Sequence, residues 1–261
     1  MKTSGLKIAA MSVAALHTLA VGQVVTLADN GSVAQISAAA GGGPSGLFNW
    51  TAGAGPNEVV RQSYYIRVGT GPIVDVAALS APTISQPTAY LANIQYTNSS
   101  FANFDISFRY LLTGGFPDGA DLSEVTSVIN RGTGPLQFSL YEFDYFAPGG
   151  TPGGTATLQN SSTIRQTNNG RSVTVGATGI PNHWMIGHVG DVQNAVNAGN
   201  LLDSSSPFTA GDVAFGFQWD VNLAAAHTWQ MSKDKILAAV PEPCSLVICG
   251  LALALVRRRK S

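Results

Sequence analysis

The clearest strand signal in the chain is the stretch GDVAFGFQWDVNL, residues 211–223. Apolar and small or polar side chains alternate there with a period of two, and successive side chains of a strand point to opposite faces. One predicted face carries Val213, Phe215, Phe217, Trp219 and Val221, and the other carries Ala214, Gly216, Gln218, Asp220 and Asn222. The pattern predicts a strand with one buried face, on which Phe215, Phe217 and Trp219 belong to the core.

Similar patterns recur outward from this stretch. They include VVRQSYYIRVG (59–69), FDISFRYLLT (104–113) and PLQFSLYEFDYF (135–146), and turns rich in Gly, Pro and Asn separate them. One exception, DVQNAVNAGNLL (191–202), has helical spacing and Asp191 as a candidate N-cap. We therefore predict an all-β fold, a single jelly-roll-like β-sandwich of about ten strands over residues 58–239, with one short connecting helix.

Charge and cysteine usage exclude several kinds of site. Residues 21–239 carry eight cations and fourteen acids, a net charge of −6, which does not suit a nucleic-acid partner. Both cysteines, Cys244 and Cys249, lie near the C-terminus, so residues 21–239 offer no disulfide, thiolate nucleophile or cysteine metal site. We expect no cofactor.

The N-terminus has the layout of a secretory signal peptide. Lys2 and Lys7 precede an apolar run from residue 8 to 20, and small-residue patterns permit cleavage after residue 20, 28 or 34. The cations and small residues argue against a first core helix. We assign residues 1–34 to signal peptide and leader, residues 35–57 to a flexible lead-in rich in Gly, Ala and Pro, and a secretion translocase as partner.

The C-terminus reads VPEPCSLVICGLALALVRRRKS, residues 240–261. As a helix, residues 244–256 would span about 20 Å of a hydrocarbon layer of about 30 Å. The following cations would hold this end at the cytoplasmic face. The segment therefore predicts a transient membrane tether for an exported protein of the cell envelope or extracellular space.

This tail resembles the PEP-CTERM sorting signal of exported bacterial proteins. The matching residues are Pro241, Glu242 and Pro243, the apolar run, and Arg257, Arg258 and Arg259. The resemblance implies processing by an exosortase-type membrane protease and a place at the cell surface or in the extracellular matrix. The stretches YYIRVG, LYEFDYF and GDVAFGFQWDVNLAAAHTWQMSKDK are similar to uncharacterised domains of other PEP-CTERM proteins, which imply no activity.

Glu142 and Asp144 are the candidate catalytic pair. On a strand they share one face about 7 Å apart, and paired carboxylates carry out glycoside hydrolysis. The stretch resembles the E-x-D-x-x-E motif of jelly-roll glucanases, but Ala147 stands where that motif has its third acid. The alternative is a solvated or cation-facing acidic pair on a sheet edge, which we favour.

The remaining candidates are aromatic and metal-ligating side chains. Trp50, Trp184 and Trp229 would contact a glycan if they formed an exposed row, and would otherwise be core. His183 and His188 face opposite sides of a strand and His227 stands alone, so we predict no histidine metal site. Asp118 and Asp121 favour a turn or capping role over calcium.

These patterns predict a non-enzymatic structural or adhesion protein. The alternative is a carbohydrate-binding module for exopolysaccharide, and the third hypothesis is a glycoside hydrolase. An exposed row of the three tryptophans would favour the module.

Overall fold

The computed structural model describes residues 23–38, 45–98, 102–116 and 118–240. Across these ranges the chain forms seventeen strands in two sheets, one α-helix and two short 3-10 turns. All strand pairs are antiparallel. The predicted all-β sandwich is confirmed, although the described residues contain seventeen strands rather than about ten.

The first sheet has eight strands. In spatial order they are β1 (Val24–Asp29), β2 (Ser32–Ser37), β3 (Gly46–Thr51), β4 (Val59–Val68), β10 (Leu136–Phe146), β16 (Val213–Leu223) and β14 (His183–His188), with β5 (Ile73–Asp75) also paired to β4.

The second sheet has nine strands and packs against the first. Their order is β15 (Phe208–Ala210), β11 (Gly154–Asn160), β12 (Thr163–Asn168), β13 (Arg171–Ala177), β17 (Thr228–Ala239), β9 (Gly119–Asn130), β8 (Phe104–Phe116), β7 (Leu91–Asn98) and β6 (Thr83–Thr88).

The ordered sheet begins at Val24 rather than at residue 58. Strands β1, β2 and β3 lie in segments that the sequence assigned to the leader and the flexible lead-in, and Leu27, Ala34 and Trp50 are fully buried. Short alternating stretches such as VVTLAD and SVAQIS follow the apolar N-terminal run directly. Because they adjoin that run, the sequence analysis assigned them to the leader rather than to the sheet.

The opening stretch forms β16, between β10 and β14. Phe215 and Phe217 are completely buried and Trp219 is 3% exposed, so the predicted core face is confirmed. The prediction of one buried face is too simple, because Ala214 and Gln218 on the opposite face are also buried.

A helix covers that opposite face, which we call the outer face of the first sheet. Helix α1 (Val189–Ala198) buries Val192 and Val196 against Tyr141 and Ala214. The predicted helix is therefore confirmed, although His188 is its N-cap and Asp191 lies in its first turn. The helix ends at Gly199, whose φ of 69° is left-handed and favours glycine.

Candidate functional site

The predicted acidic pair lies in the interior of the sandwich. Glu142 and Asp144 share the face of β10 that points toward the second sheet, and both are completely buried. β10 is a central strand between β4 and β16, so the expectation of a solvated pair on a sheet edge is wrong, whereas the expectation that the pair could face cations agrees with the contact between Glu142 and Lys233. A polysaccharide outside the molecule has no contact with either carboxyl group.

These two acids belong to a buried ionic cluster, which consists of Glu124, Glu142, Asp144, Lys233 and Lys235. The Nζ atom of Lys233 lies 2.7 Å from Glu142 Oε1 and 3.1 Å from Glu124 Oε1. Lys235 Nζ lies 2.8 Å from Glu124 Oε2. The lysines come from β17 in the second sheet and Glu142 from the first, so the cluster joins the two sheets.

Polar neighbours complete the cluster. Gln62 Nε2 donates to Glu142 Oε1 at 2.8 Å, and the Tyr64 hydroxyl lies within hydrogen-bonding distance of both Glu124 and Glu142. Three carboxyl oxygens accept no hydrogen bond from a donor group of the described residues. They are both oxygens of Asp144 and the Oε2 atom of Glu142. The cluster therefore holds buried polar atoms that cost free energy as they stand.

Burial dominates the titration of this cluster. It raises the pKa of Glu142 to about 7 and that of Asp144 well above its usual range, and it lowers the pKa of Lys233 well below its usual range. Burial also lowers the pKa of Lys235, but the charges of Glu124, Glu142 and Asp144 outweigh it and raise that pKa. One lysine of the cluster thus favours the neutral form and the other the charged form.

The three candidate tryptophans do not form an exposed row. Trp50 is completely buried, and Trp184 and Trp229 are partly buried against the core between the sheets. Trp229 packs edge-on against Phe138 with ring centroids 5.7 Å apart. Trp50 is therefore core, and Trp184 and Trp229 bury part of their indoles against it.

The histidines and the turn acids lie apart from one another. His188 Nδ1 is 2.6 Å from Asp212 Oδ1, whereas His183 Nδ1 is 3.8 Å from Asp203 Oδ1. No group of three or more His, Cys, Asp or Glu side chains suited to a metal ion occurs within the described ranges. Asp118 has a φ of 54°, which agrees with a turn position, and Asp121 lies in β9.

A polar cleft opens on the outer face of the first sheet, at one end of β10 and β16. Its volume is about 300 Å³. The residues that line it are Gly69, Gln137, Phe138, Ser139, Asp220, Val221 and Asn222. Gln137, Asp220 and Asn222 are exposed, so their amide and carboxylate groups are available to a ligand.

The carboxylate of Asp220 is held in place by its neighbours. It accepts hydrogen bonds from Ser139 Oγ at 2.5 Å and from Gln218 Nε2 at 3.0 and 3.1 Å. The backbone N–H of Asp220 donates to Asn182 Oδ1 at 2.8 Å. Gln218 is fixed in turn, because its Oε1 atom accepts from the backbone N–H of Leu201 at 3.1 Å. An exposed acid with this support is positioned for proton transfer.

Two further ionisable side chains lie on the same face. His183 is directly opposite Gln218 in the β14–β16 register and is about half exposed. Arg67 is opposite Ser139 in the β4–β10 register, and its guanidinium carbon lies 5.9 Å from the centre of the Tyr141 ring. The cleft itself thus contains one acid and neutral hydrogen-bonding groups. His183 and Arg67 lie beside it on the same face of the sheet and are not among its lining residues.

The sequence pointed to the strand but not to this site. Gln218, Asp220 and Asn222 form the polar side of the opening stretch, and only the apolar side suggested a role. Polar side chains with a period of two, next to a fully buried core face, were the available signal. The cleft itself depends on the pairing of β10 with β16, which periodicity does not reveal.

No protein-family model matches the sequence, and no curated protein matches it. Solved structures do match. A candidate aldose 1-epimerase from Escherichia coli K12 has 11% identity and a TM-score of 0.53, covering 84% of this chain and 99% of that one. A galactose mutarotase-like protein from Lactobacillus casei ATCC 334 has 10% identity and a TM-score of 0.54, covering 83% and 100%. A bacterial glucoamylase complexed with acarbose has 9% identity and a TM-score of 0.59, covering 85% of this chain and 34% of that one.

The prediction of a non-enzymatic structural or adhesion protein is therefore corrected. At these identities the likeness shows the fold, and this fold is the one found in the epimerase-like and glucoamylase structures. The fold class and the strand pattern are compatible with either an enzyme or a non-enzymatic protein. The missing third acid was the sequence argument against catalysis by Glu142 and Asp144. That criterion concerned the buried pair and not the cleft.

The predicted terminal signals fall mostly outside the described residues. Pro241, Glu242, Pro243 and the arginine cluster lie there, as do residues 1–22. Within the described ranges, no helix is both long enough and apolar enough to cross a membrane. The expected tether, residues 244–256, lies outside those ranges. Export and the sorting-signal resemblance stay predictions.

Proposed function

We propose that this protein is a carbohydrate-active enzyme that opens and recloses the hemiacetal ring of an aldose, and so interconverts its α and β anomers. The observation that carries the proposal is the positioned carboxylate of Asp220 in a polar cleft of about 300 Å³. The shared fold of a candidate aldose 1-epimerase and a galactose mutarotase-like protein supports it.

The lining of the cleft suits a single sugar ring. Its volume is at the lower end of the range for small-molecule sites, about 300–1,000 Å³. The side chains of Gln137, Ser139 and Asn222 offer donors and acceptors at once, which is what sugar hydroxyl groups require. Both anomers would fit, because recognition would rest on the hydroxyl groups away from the anomeric carbon.

Ring opening needs one base and one acid. The base removes the proton of the anomeric hydroxyl while the acid protonates the ring oxygen, and closure reverses both transfers on the other face. Asp220 is the base in this proposal, and His183 is the acid. The two are diagonal neighbours across β14 and β16, a spacing of about 7–8 Å between Cα atoms that leaves room for a sugar between their side chains.

The same site does not favour glycoside hydrolysis. That reaction uses two carboxyl groups on either side of the glycosidic bond. Of the described residues that line the cleft, Asp220 alone carries a carboxylate, and Glu142 and Asp144 are sealed between the sheets.

The test is the rate of mutarotation of freshly dissolved α-D-galactose and α-D-glucose, followed by polarimetry. We expect the wild type to accelerate the reaction, and Asp220→Asn to lower the catalysed rate by about 10²–10⁴-fold, the usual contribution of a positioned acid or base. Asp191→Asn, an exposed acid on α1, is the matched control and should keep the full rate. A wild type that adds nothing to the rate in buffer for either sugar would overturn the proposal.

We also propose that the chain is exported through the translocase and that its signal peptide is cleaved after residue 20. Cleavage after residue 28 or 34 would remove Leu27, and the later cut would also remove Ala34, both completely buried in the first sheet. Cleavage after residue 20 leaves β1 and β2 intact.

A further inference from the structure

We infer that Lys233 and Glu142 join in an isopeptide bond, so that an amide formed within the folded chain links the two sheets. The residues are completely buried, and Lys233 Nζ lies 2.7 Å from Glu142 Oε1. They belong to β17 in the second sheet and β10 in the first, and are separated by 91 residues. Such a bond is independent of the proposed sugar chemistry.

The interior supplies the two reactive forms. A lysine attacks a carbonyl carbon through its nitrogen lone pair, which the charged ammonium form lacks, and a carboxylic acid is a better electrophile than a carboxylate. Burial lowers the pKa of Lys233 well below its usual range and raises that of Glu142 to about 7. Both side chains are buried from bulk water, which would otherwise solvate the reactants and favour hydrolysis of the amide product.

The two oxygens of Glu142 have different surroundings. Oε1 accepts from Gln62 Nε2 at 2.8 Å and lies 3.1 Å from the Tyr64 hydroxyl and 3.8 Å from Lys235 Nζ. These donors and this cation would stabilise the negative charge that develops on Oε1 during attack. Oε2 accepts from no donor group of the described residues, and Asp144 is the carboxyl group beside Glu142, so we assign Oε2 as the oxygen that leaves.

Asp144 is positioned to relay the proton. It lies two residues from Glu142 on the same face of β10, is completely buried, and interacts directly with the carboxyl group of Glu142, while no donor group of the described residues hydrogen-bonds to it. Burial raises its pKa well above the usual range, and the charge of Glu142 raises it further. A carboxyl group in this state can accept a proton from the attacking nitrogen and return one to the leaving oxygen.

The reaction balances without a co-reactant. The bond from Lys233 Nζ to Glu142 Cδ forms, and the bond from Cδ to Oε2 breaks. The nitrogen keeps one hydrogen and passes the other through Asp144 to the departing hydroxyl group, which leaves as one water molecule. The product is a secondary amide, and nothing is oxidised or reduced.

The second lysine of the cluster does not fit the same role. Lys235 pairs with Glu124 at 2.8 Å, and the surrounding acids raise its pKa. It therefore stays charged and has no lone pair for attack. Lys235 stabilises the transition state, and Lys233 alone is the nucleophile.

The direct test is peptide mapping of the denatured full-length protein by mass spectrometry. We expect one cross-linked species that joins the peptides containing Lys233 and Glu142 and is lighter than their sum by one water. Quantitative recovery of both peptides unlinked would overturn the inference, and so would a link that uses Lys235 or Glu124.

Variants separate the chemistry from the stability of the fold. Lys233→Met should abolish the link, and Asp144→Asn should slow its formation in newly synthesised chains sampled over time. Glu58→Gln is the matched control, because Glu58 is a completely buried carboxylate paired with Arg171 at 3.0 Å, outside the cluster. It should keep the link at the wild-type rate. Wild-type linkage rates in Asp144→Asn, with circular dichroism confirming a folded protein, would contradict the relay.

Discussion

Replacement of Trp219 by alanine tests how the opening stretch holds the sandwich together. Trp219 is 3% exposed on β16, packs against Phe217 with ring centroids 5.8 Å apart, and donates from Nε1 to the carbonyl of Gly179 at 2.9 Å. A buried tryptophan removes about 150–250 Å² from water, which at about 25 cal/mol per Å² is worth about 4–6 kcal/mol. Alanine retains a small part of this area, so we expect Trp219→Ala to lower the free energy of unfolding by about 3–5 kcal/mol.

Urea denaturation followed by far-ultraviolet circular dichroism measures this loss without using indole fluorescence. Trp219→Phe keeps most of the buried area and loses the hydrogen bond to Gly179, so its cost should be about 1–2 kcal/mol. Ile236→Ala, at a site 47% exposed, should stay within about 0.5 kcal/mol of the wild type. A loss below about 1 kcal/mol for Trp219→Ala would refute the assignment of this face to the core.

Three further predictions concern the buried cluster and the N-terminus. Lys235→Met should destabilise the fold by about 3–5 kcal/mol, because Glu124 then keeps only Lys233, whose lowered pKa favours the neutral form, and adding Glu124→Gln should restore much of the loss in a double-mutant cycle. Because the pKa of Asp144 is raised, the folded state binds this proton more tightly than the unfolded state does. The free energy of unfolding should therefore fall as the pH rises above 3.8, the ordinary pKa of an aspartate. Asp144→Asn should therefore be more stable than the wild type at about pH 8 and similar to it at about pH 3, as measured by the midpoints of urea denaturation. A difference between variant and wild type that is the same at the two pH values would contradict this reasoning. The mature protein should begin at residue 21, and N-terminal sequencing that found residue 29 or 35 instead would mean that buried Leu27 is dispensable.

The sequence predicted the sandwich because its strongest signal is local. Alternation in β16 and in β10 follows from side chains pointing to opposite faces of a strand, and both strands are central in the first sheet. The helix followed from equally local spacing. These parts of the fold needed no knowledge of which strands pair.

The sites were not predictable in the same way. Glu142 was recognised as one of a pair, but Lys233 on β17 and Glu124 on β9 meet it only because these strands pack across β10. Neither relation is visible in the local sequence around Glu142. Charged side chains are almost never fully buried, so a solvated position was the natural expectation. Asp220 gains its role from Ser139 and Gln218 on adjacent positions of two strands, a relation that register fixes and composition does not show.

The most direct test of the proposed enzyme is two-dimensional proton exchange spectroscopy on an aldose already at anomeric equilibrium. Exchange peaks between the α and β anomeric protons report ring opening alone, without net turnover. The account predicts such peaks with the wild type and with Asp191→Asn, and their loss with Asp220→Asn. Anomeric protons that exchange no faster with the wild type than in buffer, or that exchange equally fast with Asp220→Asn, would contradict it.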